Sequence, residues 1–325
     1  MIKEIKQYLA PGLGEVEQKI TAALQSDVRL LDQTNKALRE HPGKMLRPVL
    51  ALLAAGAVGK PNEDTIRYAA AAELLHNATL LHDDVVDGAT CRRGLPTVAS
   101  LLGGPAAVLI GDFWLVRAVR TLLEGTCNKD RVISIFAATL GHLAEGELLQ
   151  MEKSSSGDTT QADYERIIYG KTASLFETAA VSAALSVSAA PEQVEAARQF
   201  AKDLGIAFQI KDDIMDYTSA ECTVGKPVGI DLKEQKITQP LLCALEDVSP
   251  QEAAEVRMKV TRIADEPALA SEVASFVEAH DGVSKAENVL DHYVSRAISW
   301  LEKLADTPEK LYLAQLAQFV GARNN

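Results

Sequence analysis

The segment Leu80-Leu81-His82-Asp83-Asp84-Val85-Val86-Asp87 places three carboxylates at the end of an apolar stretch, 68–81, that has the composition of a buried helix. Aspartate is seldom buried unless it is paired or bound to a metal. Asp83 and Asp87 lie one helical turn apart, so their side chains would share one face and repel each other. A hard dication such as Mg²⁺ would relieve that repulsion. A solvated acidic helix end is the alternative, and this segment alone does not decide between the two.

A second segment, Lys211-Asp212-Asp213-Ile214-Met215-Asp216-Tyr217, repeats the order of two aspartates, two apolar residues and a third aspartate. It also follows an apolar helical stretch, 201–210. Six carboxylates facing one cavity would require several divalent cations, and the oxygens of a diphosphate would complete the coordination of those cations. The pair of motifs therefore predicts a site for metal ions and a diphosphate.

The composition limits the other classes of function. The 325 residues are 47% hydrophobic and carry a formal net charge of −12, which disfavours nucleic acid as a partner because such binding needs a basic face. Cys91, Cys127, Cys222 and Cys243 lack the spacing of a zinc site or a disulfide framework, which favours free thiols in a reducing compartment. The sequence shows neither a signal-peptide pattern nor an uncharged apolar run of about 18–20 residues. We therefore expect a soluble cytoplasmic protein without a transmembrane segment.

Helical periodicity dominates the chain, and alternation of the β type is nearly absent. Segments of helical length are separated by Pro, Gly and Asp, which predicts an all-α protein of about a dozen helices joined by short loops. The clearest predicted helices cover 15–39, 63–82, 105–124, 131–152 and 192–217.

Basic residues are grouped near the two acidic motifs. They are Lys44 and Arg47 at a predicted helix start, Arg92 and Arg93 just after the first motif, Lys171 beside Thr172, and Lys226 and Lys236 in a loop, 218–236, that could act as a lid. Each alone is more typical of a solvated surface charge. Their arrangement around two acidic motifs favours recognition of a diphosphate, which Arg and Lys commonly bind.

Together these residues resemble the trans-isoprenyl diphosphate synthases, or polyprenyl synthetases, from Gly43 to about Pro240. The matching features are the segment GKMLRP at 43–48, Glu73–His76, the two aspartate motifs, Arg92-Arg93-Gly94, Gly111-Asp112-Phe113, Glu145-Gly146-Glu147 with Gln150, Lys171-Thr172, Phe208-Gln209 and Gly225-Lys226. The resemblance implies a homodimer in which each subunit, residues 1–325, is a single domain: one large all-α helical bundle around a deep central cavity.

The resemblance also implies a role for each matching residue. Three Mg²⁺ ions per active site would be held by Asp83, Asp84, Asp87, Asp212, Asp213 and Asp216. The allylic diphosphate would contact Arg92, Lys171, Lys226 and Lys236. The diphosphate of isopentenyl diphosphate would contact Lys44, Arg47, His76 and Arg93. The catalytic group would be Lys171, Thr172 and Gln209, with Thr172 and Gln209 facing the reacting carbons.

Two details of the chain bear on how the site closes. The family more often has glycine before the lysine at position 236, where this chain has Gln235. Near the end of the sequence, Arg323 is a candidate for closing over the site.

The length of the product depends on the helix before Asp83. The residues on the face behind this aspartate are Ala72, Leu75, Ala78 and Thr79, whereas short-chain members of the family carry aromatic residues near the last two positions. From Asp83 to Ala72 the helix rises about 16 Å, so the resemblance implies a product longer than geranylgeranyl diphosphate, as for quinone side chains. Alternatively, these four residues serve only to pack helices. Phe136 or His142 would then stop the growing chain closer to the aspartates, and the product would be short, as in a short-chain synthase.

Three other classes of protein explain the sequence less well. A terpene cyclase would need neither the second aspartate motif nor a second diphosphate pocket. A non-catalytic subunit of a heteromeric synthase usually lacks some of the six aspartates, and all six are present here. A plain Mg²⁺- or Ca²⁺-binding helical protein leaves the basic residues unexplained. We therefore predict a Mg²⁺-dependent prenyltransferase that acts by ionisation, condensation and elimination. Release of its product would involve at most peripheral contact with a membrane.

Overall fold

The computed structural model describes residues 1–40, 43–92, 94–218 and 229–323. Within these ranges the regular elements are helices, apart from one antiparallel pair of two-residue strands. The all-α class predicted from the sequence is therefore confirmed.

The first ten α-helices in chain order are α1 (Ile2–Tyr8), α2 (Ala10–Ala23), α3 (Arg29–Glu40), α4 (Leu46–Val58), α5 (Glu63–Val86), α6 (Val98–Leu102), α7 (Gly104–Leu123), α8 (Lys129–Ser156), α9 (Gln161–Ile168) and α10 (Ser174–Ser186). They are followed by α11 (Pro191–Thr218), α12 (Ile230–Lys233), α13 (Gln239–Ala244), α14 (Pro250–Arg262), α15 (Leu269–Ala279), α16 (Gly282–Trp300) and α17 (Pro308–Ala322). The strands are β1 (Cys91–Arg92) and β2 (Leu95–Pro96). A π-helical turn, Tyr169–Ala173, joins α9 to α10, and a 3₁₀ turn, Leu301–Lys303, follows α16.

The chain divides into two compact units. Unit 1 comprises Met1–Ala137, Leu175–Arg198 and Leu301–Gln315, and unit 2 comprises Ala138–Ser174, Gln199–Trp300 and Leu316–Asn325. Each unit joins segments that are distant in sequence, and each carries one of the two aspartate motifs. The single domain over residues 1–325 that we expected from the sequence stays a prediction.

Helix α5 forms the core of unit 1. Its N-terminus is closed by a capping box in which Asn62 Oδ1 accepts the backbone N–H of Thr65 and the Thr65 hydroxyl accepts the backbone N–H of Asn62, both at 3.0 Å. From Tyr68 to Leu75 its side chains are buried, because α2, α4 and α7 pack around it. A helix that is enclosed on all sides has apolar residues on all faces, as this sequence does.

The single helix predicted over 15–39 is wrong, because the structure has two helices there, α2 and α3. In the connection the Ser26 hydroxyl accepts the backbone N–H of Val28 at 3.2 Å, a local bond that competes with helical hydrogen bonding. Helix α3 is fixed separately by the buried Asn35, whose side chain accepts the indole N–H of Trp114 at 2.8 Å. The other four predicted helices correspond to α5, α7, α8 and α11, with ends shifted by a few residues.

Helix α8 is the one helix among the described residues that is long and apolar enough to cross a membrane by length and composition. Only 22% of its apolar stretch is buried. Such a stretch also occurs in helices that are covered by other protein, so its composition alone does not place it in a membrane.

A buried carboxylate anchors each unit. In unit 2, Asp203 is 1% exposed and accepts hydrogen bonds from Arg296 Nε at 2.9 Å and Nη2 at 2.7 Å, which ties α11 to α16. In unit 1, Asp64 accepts the backbone N–H groups of Thr126 at 3.0 Å and Cys127 at 2.7 Å. Burial would raise the pKa of Asp64, but these hydrogen bonds, led by the one from Cys127, lower its pKa to about 2.

Replacing Asp64 by Asn should lower the free energy of unfolding by about 1–3 kcal/mol, because buried N–H groups lose a charged acceptor. Since folding lowers the pKa of Asp64 from 3.8 to about 2, the wild-type advantage should be complete above pH 3.8 and decline as the pH falls towards 2. Urea unfolding at several pH values measures both effects. The control is Glu63→Gln. Glu63 is exposed and forms an ion pair with Arg67, as Asp64 does. This substitution should lower the free energy of unfolding by no more than about 0.5 kcal/mol. Equal losses in the two variants would contradict the anchoring role of Asp64.

Candidate active site

The first aspartate motif closes α5. Asp83 and Asp84 occupy its last turn, and Asp87 is the capping residue that follows. Because successive helical residues point about 100° apart, the two adjacent side chains separate: Asp84 is buried and Asp83 is half-buried. Asp87 is exposed. Asp83 and Asp87 are therefore the carboxylates of this motif that reach towards solvent.

Asp84 has a cationic partner in the protein. The Nε atom of Arg92, on β1, donates to Asp84 Oδ1 at 2.7 Å. The Arg92 side chain is 35% exposed, so it neutralises the buried carboxylate and also reaches the surface. The structure thus brings Arg92 to the first motif, and it pairs Asp84 with arginine. Arg93, predicted to contact isopentenyl diphosphate, lies outside the described residues.

His82 fixes the end of α5 against α7. Its Nε2 atom lies 3.3 Å from a carboxylate oxygen of Asp112 and 3.3 Å from the carbonyl oxygen of Val108. A Cβ atom on Gly111 would lie 2.4 Å from the imidazole, so the absence of a side chain at this position makes room for the ring. Gly111 and Asp112 therefore hold the side chain of the histidine that precedes the first motif.

The other predicted diphosphate ligands of unit 1 lie on α5 and near the start of α4. Lys44 is exposed, whereas Arg47 and His76 are half-buried. Arg47 belongs to the first turn of α4, and its guanidinium lies 4.9 Å from the centre of the Phe176 ring. Lys226, like Arg93, lies outside the described residues.

The predicted chain-length residues form a mostly buried face of α5. Ala72, Leu75 and Ala78 are at most 1% exposed, and Thr79 is half-buried with its hydroxyl donating to the His76 carbonyl at 2.8 Å. Unit 1 also contains a cavity of about 970 Å³, which α5 lines through Asn77, Leu80, Leu81 and Asp84. The lining of that cavity does not include the four predicted chain-length residues.

The second motif, in unit 2, lies within the last turns of α11. Its three carboxylates have different surroundings, since Asp212 is 39% exposed at its side chain, Asp213 is buried, and Asp216 is half-buried. Asp216 accepts the backbone N–H groups of Ile230 at 3.2 Å and Asp231 at 3.1 Å. It therefore holds the first residues of α12.

Asp212 pairs with the arginine that the sequence suggested for closing the site. Arg323 Nη2 lies 2.7 Å from Asp212 Oδ1 and donates to the Phe208 carbonyl at 2.7 Å. The guanidinium also lies 3.8 Å from the centre of the Phe208 ring. Burial lowers the pKa of Arg323, and the charge of Asp212 opposes that effect. The structure thus brings Arg323 to the second motif.

Asp213 is enclosed by hydrogen-bond donors. The Tyr164 hydroxyl donates to Oδ2 at 2.6 Å, and Gln209 Nε2 donates to Oδ1 at 2.9 Å. Burial and the nearby charge of Asp231 raise the pKa of Asp213 well above its usual value. On its other side Gln209 accepts the hydroxyl of Thr172 at 2.7 Å. Two predicted catalytic residues, Thr172 and Gln209, are therefore joined to the second motif, and Tyr164 is a member of this group that the sequence analysis missed.

Lys171 is placed by the π-helical turn, a feature that often marks functional positions. Its Nζ atom lies 2.7 Å from Glu147 Oε2 and 2.9 Å from Gln150 Oε1, both on α8. The turn approaches α8 closely at two glycines: a Cβ on Gly146 would lie 3.1 Å from the Lys171 backbone nitrogen, and one on Gly170 would lie 2.6 Å from the His142 carbonyl oxygen.

Lys236 follows a turn whose backbone suits glycine. Gln235 has φ of 58°, in the left-handed region, which explains why the family more often has glycine there. The Lys236 backbone N–H donates to the Asp231 carbonyl at 2.8 Å, and its side chain pairs with Glu234.

The sequence analysis also missed Asp231, whose only signal was an acidic residue between Ile230 and Leu232 in the proposed lid. Burial, followed by the charge of Asp216, raises the pKa of Asp231 to about 7. Asp231, Asp213, Lys171 and Lys236 all line a polar cavity of about 150 Å³ within unit 2. Within the described ranges, no group of three or more His, Cys, Asp or Glu side chains is arranged to hold a metal ion.

Comparisons with known proteins show which family the chain belongs to. Residues 28–277 match the family model described as "Polyprenyl synthetase". The octaprenyl diphosphate synthase of Haemophilus influenzae is 36% identical over 323 residues, covering 99% of this chain and 97% of that protein.

Two solved structures are also similar. A polyprenyl synthase from Caulobacter crescentus, complexed with calcium and isoprenyl diphosphate, has a TM-score of 0.91 at 33% identity and covers 100% of this chain and 98% of its own. A decaprenyl diphosphate synthase from Rhodobacter capsulatus has a TM-score of 0.91 at 32% identity and covers 100% of both chains. With a family match over most of the chain, and relatives of this similarity over nearly all of it, the protein belongs to the polyprenyl synthetase family and is a prenyltransferase.

Proposed function

We propose that this protein joins isopentenyl diphosphate head-to-tail to an allylic diphosphate and repeats the step until a long-chain all-trans polyprenyl diphosphate, such as a quinone side chain requires, has formed. The observation that carries the proposal is the different surroundings of the two aspartates in each pair. In each pair one carboxylate, Asp84 or Asp213, is buried against protein donors, whereas its neighbour, Asp83 or Asp212, reaches towards solvent. Membership of the family and similarity to an octaprenyl diphosphate synthase support the same function.

In the proposed reaction the allylic C–O bond breaks, and the diphosphate leaves with the electron pair. The double bond of isopentenyl diphosphate then forms a C–C bond to the allylic carbon, and loss of a proton restores a double bond. Lys171 and Arg92 supply positive charge where the leaving group becomes more negative, which lowers the barrier to ionisation. We assign the proton to the released diphosphate.

The carboxylates that reach towards solvent suit Mg²⁺. This ion binds oxygen ligands, commonly one or two carboxylates together with substrate phosphates. Asp83, Asp87 and Asp212 reach towards solvent, Asp212 while also paired with Arg323. Asp84 and Asp213 are buried, and Asp216 holds the start of α12. We therefore narrow the six predicted metal ligands to Asp83, Asp87 and Asp212, and retain three Mg²⁺ per site as part of the proposal. When bound, Mg²⁺ would neutralise diphosphate charge and assist departure of the leaving group.

The second diphosphate, that of isopentenyl diphosphate, is assigned to Lys44, Arg47 and His76. Arg47 is supported most directly, because it lies in the first turn of α4, and the N-terminus of a helix favours anions. Its contact with the Phe176 ring holds the guanidinium in place. Arg93 and Lys226 remain in the assignment on the resemblance alone.

The long-chain product is supported by the face of α5 behind Asp83. Ala72 and Ala78 offer little side-chain volume there, and the distance from Asp83 to Ala72 along the helix is about 16 Å. The similar octaprenyl diphosphate synthase agrees with a product of this class.

We also propose a homodimer. On α7 the large apolar residues Leu109, Val116 and Leu123 are 69%, 55% and 54% exposed and recur at helical spacing on one face. On α8, Leu148 and Met151 are 65% and 50% exposed. Apolar surface of this kind marks a site for another protein, and a second copy of this chain would cover it. This assigns the apolar stretch of α8 to a protein interface. We place the protein in the cytoplasm, with membrane contact limited to product release.

Replacing Asp83 or Asp212 by Ala should reduce turnover by at least about 10²-fold, because stabilisation of the departing diphosphate is lost. Incorporation of labelled isopentenyl diphosphate with a farnesyl primer and Mg²⁺ measures the effect, and circular dichroism verifies folding. Asp306→Ala is the control, since that side chain is 99% exposed and pairs only with the nearby Lys310. Near-normal turnover in either Asp83→Ala or Asp212→Ala would show that the metal assignment is wrong.

Thr79→Phe should shorten the product, because an aromatic ring would add volume to the chain-length face at a half-buried position. Chromatography of the labelled products gives their lengths. Thr79→Ser, which keeps the hydroxyl and the small volume, should leave the product unchanged. An unaltered product distribution in Thr79→Phe would contradict the proposed path of the growing chain.

Gly146→Ala should lower kcat by about 10-fold or more, because a misplacement of about 1 Å can cost that much. Its new Cβ would lie 3.1 Å from the Lys171 backbone nitrogen, and the π-helical turn would have to move. Gly141→Ala on the same helix is the matched control, since nothing lies within 4 Å of its Cβ position. If steady-state assays gave the two variants the same kcat, the close approach would not matter for catalysis.

A further inference from the structure

A chain of hydrogen bonds in unit 2 connects four side chains. The Tyr164 hydroxyl donates to Asp213 at 2.6 Å, Gln209 Nε2 donates to the other oxygen of Asp213 at 2.9 Å, and the Thr172 hydroxyl donates to Gln209 Oε1 at 2.7 Å. Tyr164, Asp213 and Thr172 are 2%, 4% and 8% exposed, so all three side chains are buried. We call this chain the Thr172 relay.

The amide of Gln209 sets the direction of the Thr172 relay. A glutamine amide has one donating and one accepting end. The NH₂ group of Gln209 faces Asp213, which leaves Oε1 facing Thr172. The hydroxyl hydrogen of Thr172 is thereby directed to Gln209, and its remaining oxygen lone pairs face away from that bond.

This orientation matters if Thr172 faces the reacting carbons, so the inference rests on the proposed function. A hydroxyl whose hydrogen is held elsewhere presents the negative end of its dipole, which stabilises positive charge developing on the allylic carbon. The opposite orientation would present a hydrogen and oppose that charge. The direction of one hydrogen bond thus decides whether Thr172 helps or hinders ionisation.

We propose that Asp213 and Tyr164 are positioning residues that orient the Thr172 hydroxyl through Gln209, and that Asp213 is not a metal ligand. Both oxygens of Asp213 already accept protein donors. At 4% exposure this carboxylate could reach a metal ion in solvent only by moving, which would leave the buried Tyr164 hydroxyl without its acceptor. Its neighbour Asp212 has a side chain that is 39% exposed, so it reaches towards solvent although it pairs with Arg323.

Asp213→Asn tests the direction of the relay at constant shape. If Tyr164 still donates to the Asn carbonyl oxygen, the Asn NH₂ group faces Gln209. The glutamine amide must then reverse, so that its own NH₂ group donates to Thr172. We expect kcat to fall by about 10–100-fold, comparable to the loss of a preorganised dipole. Tyr164→Phe removes only the hydrogen bond from Tyr164 to Asp213. It should therefore lower kcat by a smaller factor, about 3–10.

A second measurement separates positioning from metal binding. Mg²⁺ binding is followed by titration calorimetry with inorganic diphosphate present, which requires no turnover. Asp213→Asn and Tyr164→Phe should keep the wild-type Mg²⁺ affinity within about twofold, whereas Asp212→Asn should weaken it by about 10-fold or more, as for loss of a ligand. Tyr217→Phe, a change at the same helix end as Asp213, is the matched control and should keep kcat within about twofold.

The outcomes are distinct. If the wild-type protein fails to incorporate labelled isopentenyl diphosphate, the proposed function is wrong. If the wild type is active but Asp213→Asn weakens Mg²⁺ binding as much as Asp212→Asn, Asp213 is a ligand and this inference is overturned. It is also overturned if Tyr164→Phe keeps the wild-type kcat, or if Tyr217→Phe loses as much as Tyr164→Phe. Thermal unfolding of each variant identifies losses that come from folding instead.

Discussion

A carboxylate at the end of a buried helix has to find a partner, and this requirement organises both units of the protein. An unpaired charge in an apolar interior costs more free energy than most single contacts return. Asp84 meets the requirement with Arg92, and Asp213 meets it with Tyr164 and Gln209. Arg92 and Tyr164 come from other segments of the chain, so their contacts with the aspartates also fix the surrounding elements.

Helix geometry alone gives the two adjacent aspartates of each motif different surroundings. Two successive residues of a helix point about 100° apart, so a pair at a buried helix end cannot both face the interior. In each motif the second aspartate is buried and the first reaches towards solvent. The inward carboxylate holds the helix end in place, and the outward one reaches towards solvent. A repeated Asp-Asp pair is therefore a compact way to encode a rigid support together with a binding group.

Much of the fold and part of the site could be predicted from the sequence, since they depend on local pattern. Apolar helices such as α5, and acids at their ends, follow from periodicity and composition. The partners of those acids do not, because Tyr164 and Arg323 approach the second motif from distant parts of the chain. The break between α2 and α3 was missed because a local bond to Ser26 outweighed a continuous helical pattern. The π-helical turn has no clear signal in the residues 169–173 themselves.

The position of Lys171 depends on the number of residues in the π-helical turn. A π turn accommodates one residue more than an α turn. Deleting a single residue from Tyr169–Ala173 would restore regular helical hydrogen bonding and improve the local backbone. It would also rotate Lys171 by about 100° away from Glu147 and Gln150. Where related sequences differ in length at this position, their lysines cannot be assumed to serve the same purpose.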